Sequence, residues 1–248
     1  MKTKGSISVK KIVAIVPSAG IGKRFGLDKN KPFHLLCNKP VIIWSLKTLS
    51  EIEYVKDIIP VVKEEDIEFS KKLFQSYKLT KIKKIAIGGK ERQDSVYNGL
   101  KLVKDKDCLV LIHDAVRPLI RKELIEEAIK ELLKANKSEK NKLEGIVFGV
   151  PAKDTLKEVK DNIITKTLKR ENIWMIQTPQ IFYYKPLYNA YMAAIKENFY
   201  STDDSALVER YGGKVKVFMG MYNNIKITTP EDITYAEFLI KSMFKNQE

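Results

Sequence analysis

"VAIVPSAGIGKRFGLDKNKPF", residues 13 to 33, passes from an apolar run that reads as a first strand straight into glycines and then into a cluster of cations. Two phosphate-binding motifs begin in this way. A Walker P-loop needs Ser or Thr after its Gly-Lys pair, because that hydroxyl holds magnesium; here Gly22-Lys23 is followed by Arg24, and the preceding glycine stands too close. A dinucleotide fingerprint needs a third glycine and then an acidic residue about 20 positions on for the ribose. Phe25 takes that glycine's place, and no carboxylate lies between Lys31 and Ser50. What remains is a loop whose small residues Ser18, Ala19, Gly20 and Gly22 let backbone N–H groups come close to an anion, with Lys23, Arg24 and Lys31 supplying charge. A tight turn beside a solvated basic patch is the other reading of the same residues.

Outward from the loop, 248 residues with 44% hydrophobic content allow one large α/β domain or two small ones. No linker, repeat or low-complexity segment divides the chain, so residues 1–248 read as a single domain. The longest apolar runs, Ile12 to Val16 and Cys108 to Ile112, are strand length and far short of a membrane span. The basic N-terminus precedes an apolar run too short for a secretory signal, and a cytoplasmic protein without membrane association is expected. Cys37, Cys108, His34 and His113 lack the close ligand pairs of structural zinc sites; two reduced thiols are expected.

The formal charge of +14 attracts polyanions, and a nucleic-acid-binding module is one reading of it. Against it, lysines are scattered along the whole chain, and no aromatics are interleaved with a basic stripe. Arginine is scarce by comparison: Arg24, Arg92, Arg117, Arg121, Arg170 and Arg210. A chain that uses lysine for solvated charge can keep arginine for places that want a planar, bidentate fork toward phosphate or carboxylate.

Apolar runs "KIVAIV", "VKDIIPVV", "KIKKIAI", "CLVLIHD" and "LEGIVFGV" alternate with segments of helical period. The clearest helix is "RKELIEEAIKELLKAN", residues 121–136, with Leu124, Ile125, Ala128, Ile129, Leu132 and Leu133 on one stripe. Continuous apolar strands alternating with helices predict a mainly parallel sheet covered on both faces, with ligands beyond the carboxyl ends of its strands. Residues 152–172 break the pattern: a "KDN" turn between two short, mostly polar strand-like runs reads as a β-hairpin, either an arm packing on a second subunit or a surface loop. A helix is expected from about Pro186 to Asn198, a strand pair through 214–227, and a last helix with Thr229 as N-cap, Pro230 in its first turn and Asp232 three residues after the cap. In "NIKITTP", Ile225 and Ile227 flank Lys226, an alternation that turns the lysine toward a pocket or leaves it on an exposed edge strand.

"PSAGIGKRFG" with Lys31 and "LLCNKP", then "GGKERQDSVYNGL" (88–100), "VLIHDAVRPL" (110–119), "VPAKDTLKEV" (150–159), "TLKRENIW" (167–174), "QTPQIF" (177–182), "STDD" (201–204) and "NIKITTPED" (224–232) stand in one order and spacing. In that order they resemble the 2-C-methyl-D-erythritol 4-phosphate cytidylyltransferase family of the non-mevalonate isoprenoid pathway, over about Ile12 to Leu239. The resemblance implies a Rossmann-like nucleotidyltransferase domain with a projecting β-hairpin arm. It also implies transfer of a cytidylyl group from CTP to a polyol phosphate with release of pyrophosphate, a magnesium or other divalent cation, and a homodimer formed through the arm. A cytidylyltransferase for ribitol 5-phosphate or another polyol phosphate shares the glycine loop and "NIKITTP"; the arm residues and "HDAVRP" favour methylerythritol phosphate.

The resemblance also assigns roles. Ser18, Ala19 and Gly20 would bind the nucleotide through the backbone, with Gly89, Lys90 and Ser95 at the cytosine end. Arg24 and Lys31 would stabilise charge on the α-phosphate and the leaving pyrophosphate. Asp114 would lie near the metal or the substrate hydroxyls, and Arg117 would clamp the substrate phosphate. Thr155 and Arg170 would reach from the arm into a neighbouring site, where Arg170 and Lys226 position the attacking phosphate; Thr178 and Thr202 would add hydroxyl contacts. Two departures stand out: Lys90, where the family commonly has an acid, and Asn30-Lys31-Pro32-Phe33, where it usually has Pro-Lys-Gln and an aromatic. Neither His34 nor His113 is needed as a general base, because the attacking phosphate is already ionised near neutral pH.

Overall fold

The computed structural model of the chain describes residues 11–20, 31–138 and 142–245. The apolar run before the glycine loop forms β1 (Ile12–Pro17), and a short ribbon of β2 (Leu35–Leu36) and β3 (Lys39–Pro40) leads into α1 (Val41–Glu51). Then follow β4 (Val55–Val62), α2 (Ile67–Ser76), β5 (Ala86–Ile87), α3 (Arg92–Lys101), β6 (Leu109–Ile112), α4 (Lys122–Ala135) and β7 (Gly145–Pro151). The hairpin strands β8 (Lys157–Lys160) and β9 (Ile163–Thr167) precede β10 (Trp174–Tyr183), α5 (Tyr184–Lys196), α6 (Asp204–Arg210), β11 (Val215–Met219) and α7 (Pro230–Lys245).

The main sheet has the order β11-β7-β10-β6-β1-β4-β5. Its strands are parallel except β10, which runs antiparallel to both β6 and β7. Alternation along β1 explains the two-sided cover. Ile12, Ala14 and Val16 pack with α1 and α4 on one face, while Val13 and Ile15 pack with α3 and α5 on the other. The stripe expected on α4 holds: Ile125, Ala128, Ile129 and Leu132 are fully buried. The chain leaves β1 toward β4 and β5 and returns through α3 to β6 on β1's other side, so the order reverses between β1 and β6. Ligand crevices form at such a reversal, beyond the strands' carboxyl ends.

Two expectations need correction, and one segment without an assignment is a strand. Of "KIKKIAI" only Ala86–Ile87 joins the sheet as a strand, with Ile82 making a single bridge to Ile58, because the lysines of that segment have no buried place to go. "WMIQTPQIF", unassigned from sequence, is most of the longest described strand. The pair through 214–227 supplies one strand, β11; residues 225–227 form a loop fixed by Ile227 N–H donating to Val116 O at 2.9 Å.

The hairpin is present and turns on Asp161 and Asn162, both at positive φ (50° and 63°), as a two-residue turn requires. Its strands are exposed along their whole length, including Val159, Ile163 and Ile164. At α7, Asp232 Oδ2 accepts from the N–H groups of Thr228 (2.7 Å) and Thr229 (2.8 Å), so the expected start is capped from inside the helix. Among the described residues no helix is long and apolar enough to cross a membrane. Cys108 packs beneath α3 and α5, and Cys37 packs in a separate cluster under α7.

Candidate active site

At the carboxyl end of β1, Ser18 donates twice to one carbonyl: its N–H (2.8 Å) and Oγ (2.7 Å) both reach Val61 O at the end of β4. Ser18 therefore pins the start of the glycine loop. Ala19, next along, lies against Gly88; a Cβ built on Gly88 would stand 2.2 Å from Ala19 Cβ, so only glycine permits this approach. Ser95 Oγ accepts from Gly89 N–H at 3.0 Å and donates to Glu91 O at 3.2 Å, which shapes the turn into α3. Lys90 is exposed beside it. Ala19 and the Gly88-Gly89 turn thus meet beyond the carboxyl end of β1, with Gly20 the next residue along the chain. Arg24 lies outside the described residues, as do Gly22 and Lys23.

A second group forms where β6 ends. Asp114 is buried, and its Oδ1 accepts from Arg92 Nε at 3.1 Å while its Oδ2 accepts from Lys226 Nζ at 2.8 Å; Arg117 Nε lies 3.9 Å from Oδ2. Burial alone would push the Asp114 carboxyl up, but Arg92, Lys226 and Arg117 together outweigh it and hold it well below the usual carboxylate range. A cavity of about 430 Å³ opens here, with Arg92, Asp114, Arg117, Thr178, Thr202 and Lys226 in its wall. Lys31 joins from the loop side, its Nζ 3.3 Å from Thr228 O, two residues beyond Lys226. Arg117 also donates through Nη1 to Asn224 O at 2.7 Å, which ties it to the segment that carries Lys226. The structure thus brings together five sequence-predicted residues, Asp114, Arg117, Thr178, Thr202 and Lys226, with Lys31 close by.

Thr155 and Arg170 are not in this wall. Both are exposed at the arm, Arg170 Nη1 donating to Lys153 O at 2.8 Å. Asp114 does not fit the metal-ligand role expected of it. Its two oxygens are engaged by cationic side chains, and a divalent ion would have to displace Lys226 beside two guanidinium groups. Among the described residues no group of three or more His, Cys, Asp or Glu side chains is placed to hold a metal.

Behind Asp114 lies a polar core. His113 Nε2 lies 3.0 Å from Arg117 O, a carbonyl that only accepts, so Nε2 carries the proton of the neutral ring; Nδ1 therefore accepts from Thr178 Oγ1–H at 3.1 Å, while the same Oγ1 accepts from Asp114 N–H at 3.0 Å. His113 is fully buried, and burial pushes its imidazole down to about 4 from an ordinary 6.5. Between those values the unfolded chain takes up a proton that the folded chain refuses. The contribution to stability is therefore complete above about 6.5 and is lost as pH falls toward about 4, about 3 kcal/mol in all. Urea unfolding across that window is expected to show this loss in the wild type and not in His113→Gln.

Sequence reasoning missed Arg92, which bridges Asp114 and Asp204 (Nη2 to Oδ2, 2.8 Å), and the buried Asp204, Gln180 and Tyr191 behind it. The scarcity of arginine was the available signal, since Arg92 lies inside "GGKERQDSVYNGL".

A glycine-loop edge beside a cavity walled by paired cations suits two anionic substrates. The family model described as 2-C-methyl-D-erythritol 4-phosphate cytidylyltransferase matches residues 12–242. A protein of that name from Geotalea uraniireducens is 43% identical over 236 residues, covering 94% of this chain and 98% of that one. Another, from Caldanaerobacter subterraneus subsp. tengcongensis, is 44% identical over 235 residues, 93% and 99% of the two chains. A solved structure of a 4-diphosphocytidyl-2C-methyl-D-erythritol synthase from Anaerococcus prevotii superposes with a TM-score of 0.80 at 33% identity, covering 95% of this chain and 98% of its own. With the family model matching from β1 into α7 and with fold and overall sequence in agreement, the chain belongs to the 2-C-methyl-D-erythritol 4-phosphate cytidylyltransferase family.

Proposed function

We infer that the protein transfers a cytidylyl group from CTP to 2-C-methyl-D-erythritol 4-phosphate. A phosphate oxygen of the polyol phosphate attacks the α-phosphorus of CTP, the bond to the β-phosphate's bridging oxygen breaks, and pyrophosphate leaves. The observation that carries the reading is family membership over nearly the whole chain, joined to a cavity in which Arg117 and Lys226 meet one buried carboxylate.

Both substrates are anions, and in phosphoryl-type transfer most of the catalysis is positioning and electrostatic stabilisation. We assign the nucleotide to the edge formed by Ala19, Gly20 and Gly89, with Ser18 and Ser95 shaping that edge and Lys90 left to solvent. Lys31 and Arg24 stabilise charge on the α-phosphate and the leaving group. Arg117, Thr178 and Thr202 receive the polyol phosphate, with Asp114 accepting from its hydroxyls and Lys226 orienting the attacking phosphate. Arg170 and Thr155 complete that site from a second subunit, whose arm packs through Val159, Ile163 and Ile164; the exposure of these three side chains supports the dimer. A divalent cation, magnesium or another, would enter in this reading with the nucleotide and would supply positive charge to its phosphates.

Pyrophosphate release tests the reading. CTP with methylerythritol phosphate is expected to turn over fastest, ahead of ATP, GTP or UTP and ahead of ribitol 5-phosphate as acceptor; faster use of ribitol 5-phosphate overturns the assignment of acceptor. The nucleotide edge has its own check. Gly88→Ala must separate Ala19 from the 88–91 turn, and the KM for CTP is expected to rise about 10-fold, a loss of about 1.4 kcal/mol of binding. An unchanged KM for CTP would remove this edge from the nucleotide site.

A further inference from the structure

Arg92 lines the cavity yet is poorly placed to receive a phosphate. Its Nε is 3.1 Å from Asp114 Oδ1 and its Nη2 is 2.8 Å from Asp204 Oδ2, so two edges of one guanidinium are already matched to two carboxylates. Asp204 is itself fixed. Its Oδ1 accepts from the hydroxyl of Tyr191, a fully buried residue, and its backbone N–H donates to Gln180 Oε1 at 3.1 Å. The N-terminus of α3 is clamped to the same region by Gln93, whose Nε2 donates to Phe199 O at 2.9 Å and whose Oε1 accepts from Ser201 N–H at 2.9 Å. Arg92 therefore has little freedom, and a carboxylate bound through one oxygen to a rigid fork can present only its other oxygen to Lys226.

We propose that Arg92, locked by Asp204 and Tyr191, is a positioning residue that fixes Asp114 with Oδ2 toward Lys226 and thereby sets the affinity for the polyol phosphate. The proposal rests on the functional reading above. Without Arg92, Oδ1 loses its partner, the carboxylate can rotate, and Arg117 and Lys226 compete for it instead of facing the substrate phosphate. The nucleotide edge is shaped by Ser18, Gly88 and Ser95, none of which is bonded to Arg92, so the effect falls on one substrate.

Steady-state pyrophosphate release with each substrate varied in turn provides the test. Arg92→Gln is expected to raise the KM for methylerythritol phosphate about 10-fold or more, as the loss of a charge-assisted hydrogen bond implies, with the KM for CTP within about 2-fold. Arg92→Lys recovers part of that loss, since a lysine reaches one carboxylate and not both. Tyr191→Phe, which keeps the core volume, shifts the same KM in the same direction by about 3-fold through Asp204. The positioning role is overturned if the wild type turns over but Arg92→Gln and Tyr191→Phe both keep its KM for the polyol phosphate. It is equally overturned if both KM values rise together, or if only the melting temperature changes. A wild type that releases no pyrophosphate from this substrate pair fails the functional reading itself, and this inference with it.

Discussion

Lys226→Ala and Lys31→Ala each lower turnover by about 100-fold or more, a loss of about 2.7 kcal/mol of transition-state stabilisation, while the fold stays intact. The two halves of that expectation have different causes. Lys226 is 41% exposed and shares Asp114 with Arg92 and Arg117, so its removal leaves the buried carboxylate with two cationic partners. A half-solvated ion pair contributes little to stability. Lys31 reaches the same segment through Thr228 O, a contact the backbone can replace with water. The chemistry has no such reserve. Negative charge moves onto the leaving pyrophosphate while two phosphates approach each other, and a cation fixed beforehand needs no reorganisation at that moment. Steady-state pyrophosphate release, with circular dichroism to verify the fold, measures both halves. Near-normal turnover in both variants would rule out their roles. Arg24→Ala belongs to the same series, its assignment resting on the motif.

Much of this site was legible because the chemistry sits at the ends of apolar runs. Asp114 follows a fully buried strand where a carboxylate has no packing role, and of the two readings of the alternation around Lys226 the structure has the side chain in the cavity wall, although the backbone there is a loop and no strand. β10 was illegible for a physical reason. Gln177, Thr178, Pro179 and Gln180 interrupt the apolar pattern and shift the register against β7, so the segment carries no strand period. Those same polar residues serve the site: Thr178 holds His113 and the Asp114 backbone, and Gln180 holds the start of α6. Arg92 was hidden differently. Its partner Asp204 lies 112 positions away, and only the sheet's topology brings α3 and α6 to one cavity. Local pattern reveals elements, whereas a pair bridging two elements becomes visible only once they are packed.

Mixing Arg170→Ala chains with Lys226→Ala chains restores activity to roughly a quarter of the wild-type level per site, if subunits exchange at random in a two-fold dimer. The number follows from where each lesion falls. If a site takes Lys226 from its own chain and Arg170 from the partner, both mutant homodimers carry two damaged sites. In the mixed dimer one site collects both lesions and the other collects neither, and half of all dimers are mixed. An arm that served its own chain would give no intact site in any combination, so the two arrangements differ by the presence or absence of recovery and not by degree. The arm's anatomy favours the first. Arg170 and Thr155 are exposed and stand outside the cavity wall of their own chain, and the hairpin's Val159, Ile163 and Ile164 are 54%, 69% and 59% exposed. A two-stranded ribbon with such side chains in water is marginal by itself and gains stability when a second surface covers it. Recovery that rises with mixing time, and disappears when the chains are assayed before exchange, would identify the shared site; no recovery at any time would confine each site to one chain.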